Sequence, residues 1–210
     1  IYNVSMNVNT QNVSTMEEAV DDFMEDLEKR ISDFKNNIAH GVPTGFIDLD
    51  RMVGGFQPGT LNTLAALTGF GKTALALNIA LNMILKGKHV LFFSLEMDKR
   101  ELTQRIFSMD TEIDQSFLRD GEIQEDDMAI VRRRAIELKK LDLKIDDKSY
   151  TINSIRSRAR RVHMRKPLDL IVVDYIQLIE DIEKKGKNDT RANEVAALSR
   201  GLKRLAKELD

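Results

Sequence analysis

The chain of 210 residues contains no cysteine, which excludes a disulfide framework and a thiolate metal site and fits a reducing compartment. It has no apolar run approaching the ~18 residues of a membrane span and no apolar core of a signal peptide at its start. The expectation is therefore a soluble, cytoplasmic protein. An excess of one charge is missing too: 32 basic and 34 acidic residues leave a net charge of −2. A protein that coats nucleic acid carries a global basic footprint, so any such contact here must be local. His40, His89 and His163 lack metal-ligand spacing. The chain does have 42% apolar residues, ample for one packed core, in a length that suits one domain plus an arm.

Residues 1–14, rich in Asn3, Asn7, Asn9 and Asn12, have no sustained periodicity and read as loop or disorder. From Met16 to Ile38 the residues Met16, Val20, Phe23, Met24, Leu27, Ile31, Phe34 and Ile38 recur every three or four positions, the stripe of an amphipathic helix. Ser14 or Thr15 can cap it, and Glu17 and Glu18 suit its N-terminal dipole. Either that helix lies on its own domain's core, or it is an arm that docks on a neighbouring subunit. The breakers from His40 to Gly45 separate it from the rest of the chain. After a second turn cluster, Gly54 to Gly59, strands are expected at Leu61–Ala65, Val90–Ser94, Leu143–Asp146 and Leu170–Asp174. Helices are expected over Ala74–Leu85, Lys99–Met109, Asp126–Leu141, Ser154–Met164 and Asn193–Leu209. Alternating strands and helices imply a mostly parallel sheet with helices on both faces. The ends, Ile1 and Leu209-Asp210, carry no natural start or stop signal and look cut.

The most informative segment is Ala66-Leu67-Thr68-Gly69-Phe70-Gly71-Lys72-Thr73, between the expected strand Leu61–Ala65 and the expected helix. A Gly-containing loop turns its N–H groups around phosphate oxygens, and the helix after it directs its positive end at the same charge. The nucleotide site would thus comprise Ala66, Thr68, Gly69, Phe70, Gly71, Lys72 and Thr73. Lys72 would reach the β- and γ-phosphates and Thr73 would hold Mg²⁺. The first position of the pattern is usually Gly and is Ala66 here.

Such an enzyme needs a carboxylate beside Mg²⁺ at the carboxyl end of a buried strand. Asp174 fits, because the four aliphatic residues before it should bury the strand and deliver the first charge at its mouth. Asp169 starts that strand and falls at the opposite edge. Hydrolysis also needs a group that orients or deprotonates water. Glu96, just past Val90–Ser94, lies at the same edge as Asp174 and can act so. It can equally be an acidic residue favoured near the N-terminus of the helix beginning near Asp98.

Thr44-Gly45-Phe46-Ile47-Asp48-Leu49-Asp50, then Gly54-Gly55-Phe56, the phosphate loop, Phe93-Ser94-Leu95-Glu96-Met97 and Asp174-Tyr175-Ile176-Gln177-Leu178 together resemble the RecA-like motor domain of DnaB-type replicative helicases. The resemblance covers about residues 41–210. It implies a RecA-like P-loop NTPase that uses ATP and Mg²⁺, with Glu96 as catalytic carboxylate and Asp174 as Mg²⁺ partner. It implies that residues 15–40 contain a linker helix, 15–38, docking on the next subunit of a homo-hexamer. Single-stranded DNA is the implied track, in a bacterial cell or phage-infected host. The interior Leu67-Thr68-Gly69-Phe70 departs from the family's usual Arg-Pro-Ser-Met-like sequence. The family also continues with a further strand, DNA-contacting loops and an arginine finger, so the C-terminal part of the fold is expected to be missing, along with a central strand between those bearing Lys72 and Asp174. Primase and a helicase loader are implied partners through regions outside the chain.

Lys185, Lys187 and Arg191 sit in the charged loop after Asp174, where the family places a pore loop, and could follow a DNA backbone; the alternative is a solvated surface loop. Arg156, Arg158, Arg160, Arg161 and Arg165 do not share one helix face and fit a solvated or intersubunit role better than DNA. Two rivals to the helicase stand: a RecA- or RadA-like recombination ATPase, and an ATP-dependent assembly or loader module that does not hydrolyse.

Overall fold

A computed structural model describes residues 15–35, 41–67, 69–180 and 190–210, in two units that divide at His40 and Gly41. The first is a helix, α1 (Met16–Lys35), on which Met16, Val20, Phe23, Met24 and Ile31 are exposed. Thr15 and Glu18 close its start: the Thr15 N–H donates to the Glu18 carboxylate (2.8 Å), and the Glu18 N–H to the Thr15 hydroxyl (3.2 Å). The cap falls where the periodicity places it.

The second unit runs α2 (Ile47–Val53), α3 (Lys72–Leu85), β1 (Val90–Ser94), α4 (Lys99–Thr111), α5 (Gln115–Asp120), α6 (Glu125–Leu138), β2 (Leu143–Asp146), α7 (Ile152–His163), β3 (Leu170–Asp174) and α8 (Arg191–Glu208). The sheet is parallel in the order β2-β1-β3, with Val90 opposite both Leu143 and Leu170. Alternation along β1 sorts the core into two layers. Val90 and Phe92 pack with Leu77, Met83 and Ile84 of α3 and Leu102 and Ile106 of α4. Leu91 and Phe93 pack with Ile155 and Ala159 of α7 and Leu198, Leu202 and Leu205 of α8. Helices therefore cover both faces, as the alternating pattern requires. Among the described residues, no helix is long and apolar enough to cross a membrane.

Several sequence expectations are corrected. The run Leu61–Ala65 forms no strand, and residues 61–67 are exposed. An apolar run becomes a strand only when a neighbour completes its backbone hydrogen bonds, and no described residue offers that ladder. β3 is an edge strand whose residues Leu170 to Val173 are only half-buried, whereas its terminal Asp174 is 7% exposed. The charge is sheltered more than the aliphatic run before it. The short helices α2 and α5 lack enough length to show a period of 3.6 residues, so the pattern does not announce them. Residues 36–38 of the expected first helix lie outside the described residues.

The Thr44-to-Asp50 block has a structural purpose. Thr44 is fully buried, and its N–H and hydroxyl both donate to Asp50 Oδ1 (2.7 Å each), while the Gly45 N–H donates to Oδ2 (3.1 Å). Asn82 of α3 donates to the Thr44 carbonyl (3.1 Å). Gly45 has φ +89°, and a Cβ there would lie 2.4 Å from the Asn82 side chain, so both backbone angle and space demand glycine. The turn thereby anchors the segment before the phosphate loop to α3.

At the opposite end of the sheet, Asp169 accepts from Lys88 Nζ (3.0 Å) and the His89 N–H (2.8 Å). His89 is buried, its Nδ1 2.9 Å from the Pro167 carbonyl and its Nε2 3.3 Å from Asp142. Asp142 also meets Lys166 and Lys144. The hydrogen bond from Lys166, with help from the charges of His89 and Lys144, holds the Asp142 carboxyl below the usual carboxylate range.

Two outcomes are expected. Asp50→Ala leaves the buried Thr44 donors unpaired and lowers unfolding free energy in urea by about 2 kcal/mol; an unchanged urea midpoint would refute this account of the turn. Because the folded pKa of Asp142 is depressed, its contribution is present above the unfolded value of about 3.9 and is lost as pH falls through the folded one. The stability deficit of Asp142→Asn at neutral pH should therefore shrink at about pH 3; a deficit equal at both pH values would contradict it.

Candidate active site

Helix α3 is joined to the amino end of β1 through Lys86 to His89, so it runs antiparallel to the strand and its N-terminus lies at the sheet's carboxyl edge. Fourteen helical residues span about 21 Å, and five strand residues about 17 Å, so the helix traverses the sheet. Gly71 occupies its N-cap with φ +78° and supplies no side-chain hydrogen bond to the first turn. The leading N–H groups therefore face outward without a side-chain partner, which is the arrangement that receives phosphate oxygens. No heavy atom lies within 4 Å of where a Cβ would stand on Gly69 or Gly71, so the cradle is open. Helix α3 begins at Lys72, two residues before the apolar pattern starts, and so takes Lys72 and Thr73 into its first turn.

Lys72 folds back onto its own loop, Nζ donating to the carbonyls of Ala66 (3.0 Å) and Leu67 (3.2 Å). An anion in the cradle would compete for the same ammonium. Leu67 and Phe70 project into solvent, Phe70 at 75% exposure. Thr68 lies outside the described residues.

Alternation on β3 puts Leu170 and Val172 in the core layer with α3 and places Asp174 on that same face. Asp174 Oδ2 is buried and has no hydrogen-bond partner. A buried carboxylate oxygen with nothing to accept is costly, and a cation is the group that would satisfy it. Among the described residues, no three His, Cys, Asp or Glu side chains cluster to cage a metal. The donor set of Asp174 and the Thr73 hydroxyl suits Mg²⁺, which keeps waters and phosphate oxygens as most of its ligands.

Glu96 comes to the same edge by register. Ser94 pairs with Asp174, and the Leu95 N–H donates to the Asp174 carbonyl (2.7 Å). Leu95 and Met97 are buried on either side, leaving Glu96 exposed. The turn is closed by the buried Ser94 hydroxyl, which donates to the Met97 carbonyl (2.7 Å). Helix α4 is capped by Asp98, which accepts from the N–H groups of Arg100 (2.7 Å) and Glu101 (2.9 Å). The bonds from Glu101 and Arg100 hold the Asp98 carboxyl below the usual range. The cap belongs to Asp98, so Glu96 is not needed there. Sequence reasoning places Ser94 within the block Phe93–Met97 but gives it no role of its own; its local signal is a polar residue ending a strand of four apolar ones.

Lys72 and Thr73 at the start of α3, Glu96 just after β1 and Asp174 at the end of β3 thus all lie at the carboxyl edge of the sheet. Arg191 is placed differently. It pairs with Glu194 (2.6 Å) and donates to the Gln177 carbonyl, joining the first turn of α8 to the 3₁₀ turn Ile176–Leu178. Lys185 and Lys187 lie outside the described residues. In the basic helix, Arg156 (3.6 Å) and Arg160 pair with Glu208, while Arg158 pairs with Asp146 (3.0 Å), so these arginines do point to different neighbours.

Residues 41–210 match the family model described as DnaB-like helicase C terminal domain. The replicative DNA helicase DnaB of Rickettsia bellii (strain RML369-C) is 43% identical over 187 residues, covering 83% of this chain and 37% of the relative. That of Geobacillus stearothermophilus is 40% identical over 172 residues, 81% of this chain and 37% of the relative. The replicative DNA helicase DnaC of Bacillus subtilis (strain 168) is 36% identical over 214 residues, 100% of this chain and 46% of the relative. The chain thus spans less than half the length of these curated relatives. Among solved structures, an ATPase domain superposes with TM-score 0.81 at 30% identity, over 95% of this chain and 69% of that one. A DnaB-like replicative helicase, solved with its interactions with primase, gives 0.79 at 30% identity, over 95% and 47%. The fold is RecA-like, and the chain belongs to the family of the DnaB-like helicase C-terminal domain.

Proposed function

We propose that this chain is the ATP-hydrolysing motor of a replicative DNA helicase, coupling turnover to movement along single-stranded DNA. The observation that carries the reading is an uncapped helix N-terminus at the carboxyl edge of the sheet, on the face where the buried Asp174 Oδ2 stands without a hydrogen-bond partner. Lys72 and the backbone of Ala66, Thr68, Gly69, Phe70 and Gly71 hold the phosphates of ATP; Thr73 and Asp174 hold Mg²⁺. Bound there, Mg²⁺ would offset charge on the β- and γ-phosphate oxygens. Glu96, exposed on a fixed turn with no competing cap to serve, orients the attacking water. Family membership favours this reading over a recombination ATPase.

The ring is the second part of the proposal. Helix α1 carries eight acidic and three basic residues, and Met16, Val20, Phe23, Met24 and Ile31 of its apolar stripe are exposed. A stripe of that length is a docking face. We assign its partner to a second copy in a homo-hexamer, where a groove of about 530 Å³ between α4, α5 and α6 offers Phe107, Leu118 and Val131 behind Lys99 and Arg100. Apolar floor and basic rim match an acidic amphipathic helix. Lys185 and Lys187 remain the proposed DNA contacts; Arg191 could join them only by exchanging its bonds to Glu194 and Gln177. Primase and a loader are proposed partners of the protein at its full natural length.

The test is steady-state ATPase of the protein at full natural length, with and without single-stranded DNA. Lys72→Ala should lose nucleotide binding or turnover. Glu96→Gln should keep binding and lose turnover by about 100-fold or more. Turnover at the parent rate in Glu96→Gln would remove the catalytic assignment, and tight ATP binding with negligible turnover in parent and variant alike would favour an assembly module. For the ring, Phe23→Glu should shift the hexamer to smaller species in native mass spectrometry; an intact hexamer would remove the stripe from the interface.

A further inference from the structure

Ser94 is 2% exposed at the end of β1 and has a role that the nucleotide-binding reading leaves open. Val90 and Phe92 put its side chain on the α3 face, opposite Asp174 in the ladder. A serine buried at that point is costly unless its hydroxyl is bonded, and it has one strong bond, 2.7 Å to the Met97 carbonyl. That bond folds the chain over Glu96. Leu95 and Met97, each 6% exposed, pin the two flanking residues in the core, and Asp98 and Asp147 hold the start of α4 through the N–H groups of Arg100, Glu101 and Lys99. Glu96 itself has no side-chain bond to orient it among the described residues. Its direction is therefore set by the backbone of the turn, and among the described residues the Ser94 hydroxyl is the side-chain group that closes that turn from the strand side.

We propose that Ser94 is a positioning residue for Glu96, aiming its carboxylate at the attacking water by closing the Ser94–Met97 turn. This rests on Glu96 being the catalytic carboxylate. A carboxylate displaced by about 1 Å can cost two orders of magnitude in rate, while nucleotide binding, which rests on the phosphate loop, Thr73 and Asp174, does not use the Ser94 hydroxyl.

Ser94→Ala, Ser94→Thr and Glu96→Gln are compared at full natural length by DNA-stimulated ATPase and by binding of a non-hydrolysable ATP analogue. Ser94→Ala is expected to lower kcat about tenfold or more with analogue Kd within about twofold of the parent, and Ser94→Thr, which keeps the hydroxyl, to recover most of the loss. Ser94→Cys has nearly the same volume and a weak S–H donor, so it should show the same split to a smaller degree; it is the readout if the alanine variant does not fold. Parent-like kcat in Ser94→Ala, or a kcat loss matched by lost analogue binding, overturns the positioning role while leaving Glu96 in place. Parent-like turnover in Glu96→Gln overturns the reading beneath it.

Discussion

Ser94 lies opposite Asp174 in a parallel ladder, and the Leu95 N–H reaches the Asp174 carbonyl at 2.7 Å. Because the side-chain period of a strand is two, a slip of one residue between β1 and β3 would turn Asp174 to the α7–α8 face and separate it from the helix after the phosphate loop. The apolar pattern forbids that slip. Leu170 and Val172 belong to the layer of α3, and Ile171 and Val173 to the layer of α7 and α8; a shift would exchange both sets at once. The position of Asp174, the carboxylate proposed to hold Mg²⁺, is thus enforced by burial of aliphatic side chains some distance from it.

The central place of β1 explains why this works in a small sheet. All five of its residues are buried, it is hydrogen-bonded on both sides, and its two faces contact separate helical layers. Edge strands have one ladder and less shelter, and β3 shows it in half-buried aliphatic residues. Asp174 is nevertheless buried, and its carbonyl accepts from the Leu95 N–H beyond the end of β1. Burial without a partner is an energetic liability at rest. It is also what makes the oxygen a strong acceptor for a cation, so the cost borne by the fold and the function proposed for it have one origin.

Much of this was legible in the sequence because the signals are local. The phosphate loop needs a run of eight residues, Asp174 a strand before it, and α1 a stripe of period 3.6. The failures come from tertiary effects. Leu61–Ala65 has the composition of a strand, yet strand formation is a property of pairs, and no ladder pairs with it among the described residues. Glu96 could be read as a capping acid until the structure showed Asp98 occupying the cap. The bond of Arg191 to Gln177 is likewise tertiary, and no pattern in the intervening residues announces it. The role of Ser94 was invisible because what matters is the carbonyl that its hydroxyl meets.

Net charge was the least informative number, since −2 is the residue of opposed local excesses. Helix α1 has eight acidic residues against three basic ones, whereas α7 has four arginines and no acid. Within the second unit that basic excess is partly neutralised inside the chain, where Glu208 of α8 binds Arg156 and Arg160, and Asp146 at the end of β2 binds Arg158. Arg160 in turn holds the Glu208 carboxyl below its usual range, a direction expected of a pair formed in the folded state. Cations so committed are poor candidates for a mobile polyanion, because each new contact to phosphate must first replace a carboxylate. The same reasoning covers Lys72, with one difference. Its present partners are neutral carbonyls, which a phosphate outcompetes, so the lysine that the fold leaves weakly bound is the one placed at the mouth of the cradle.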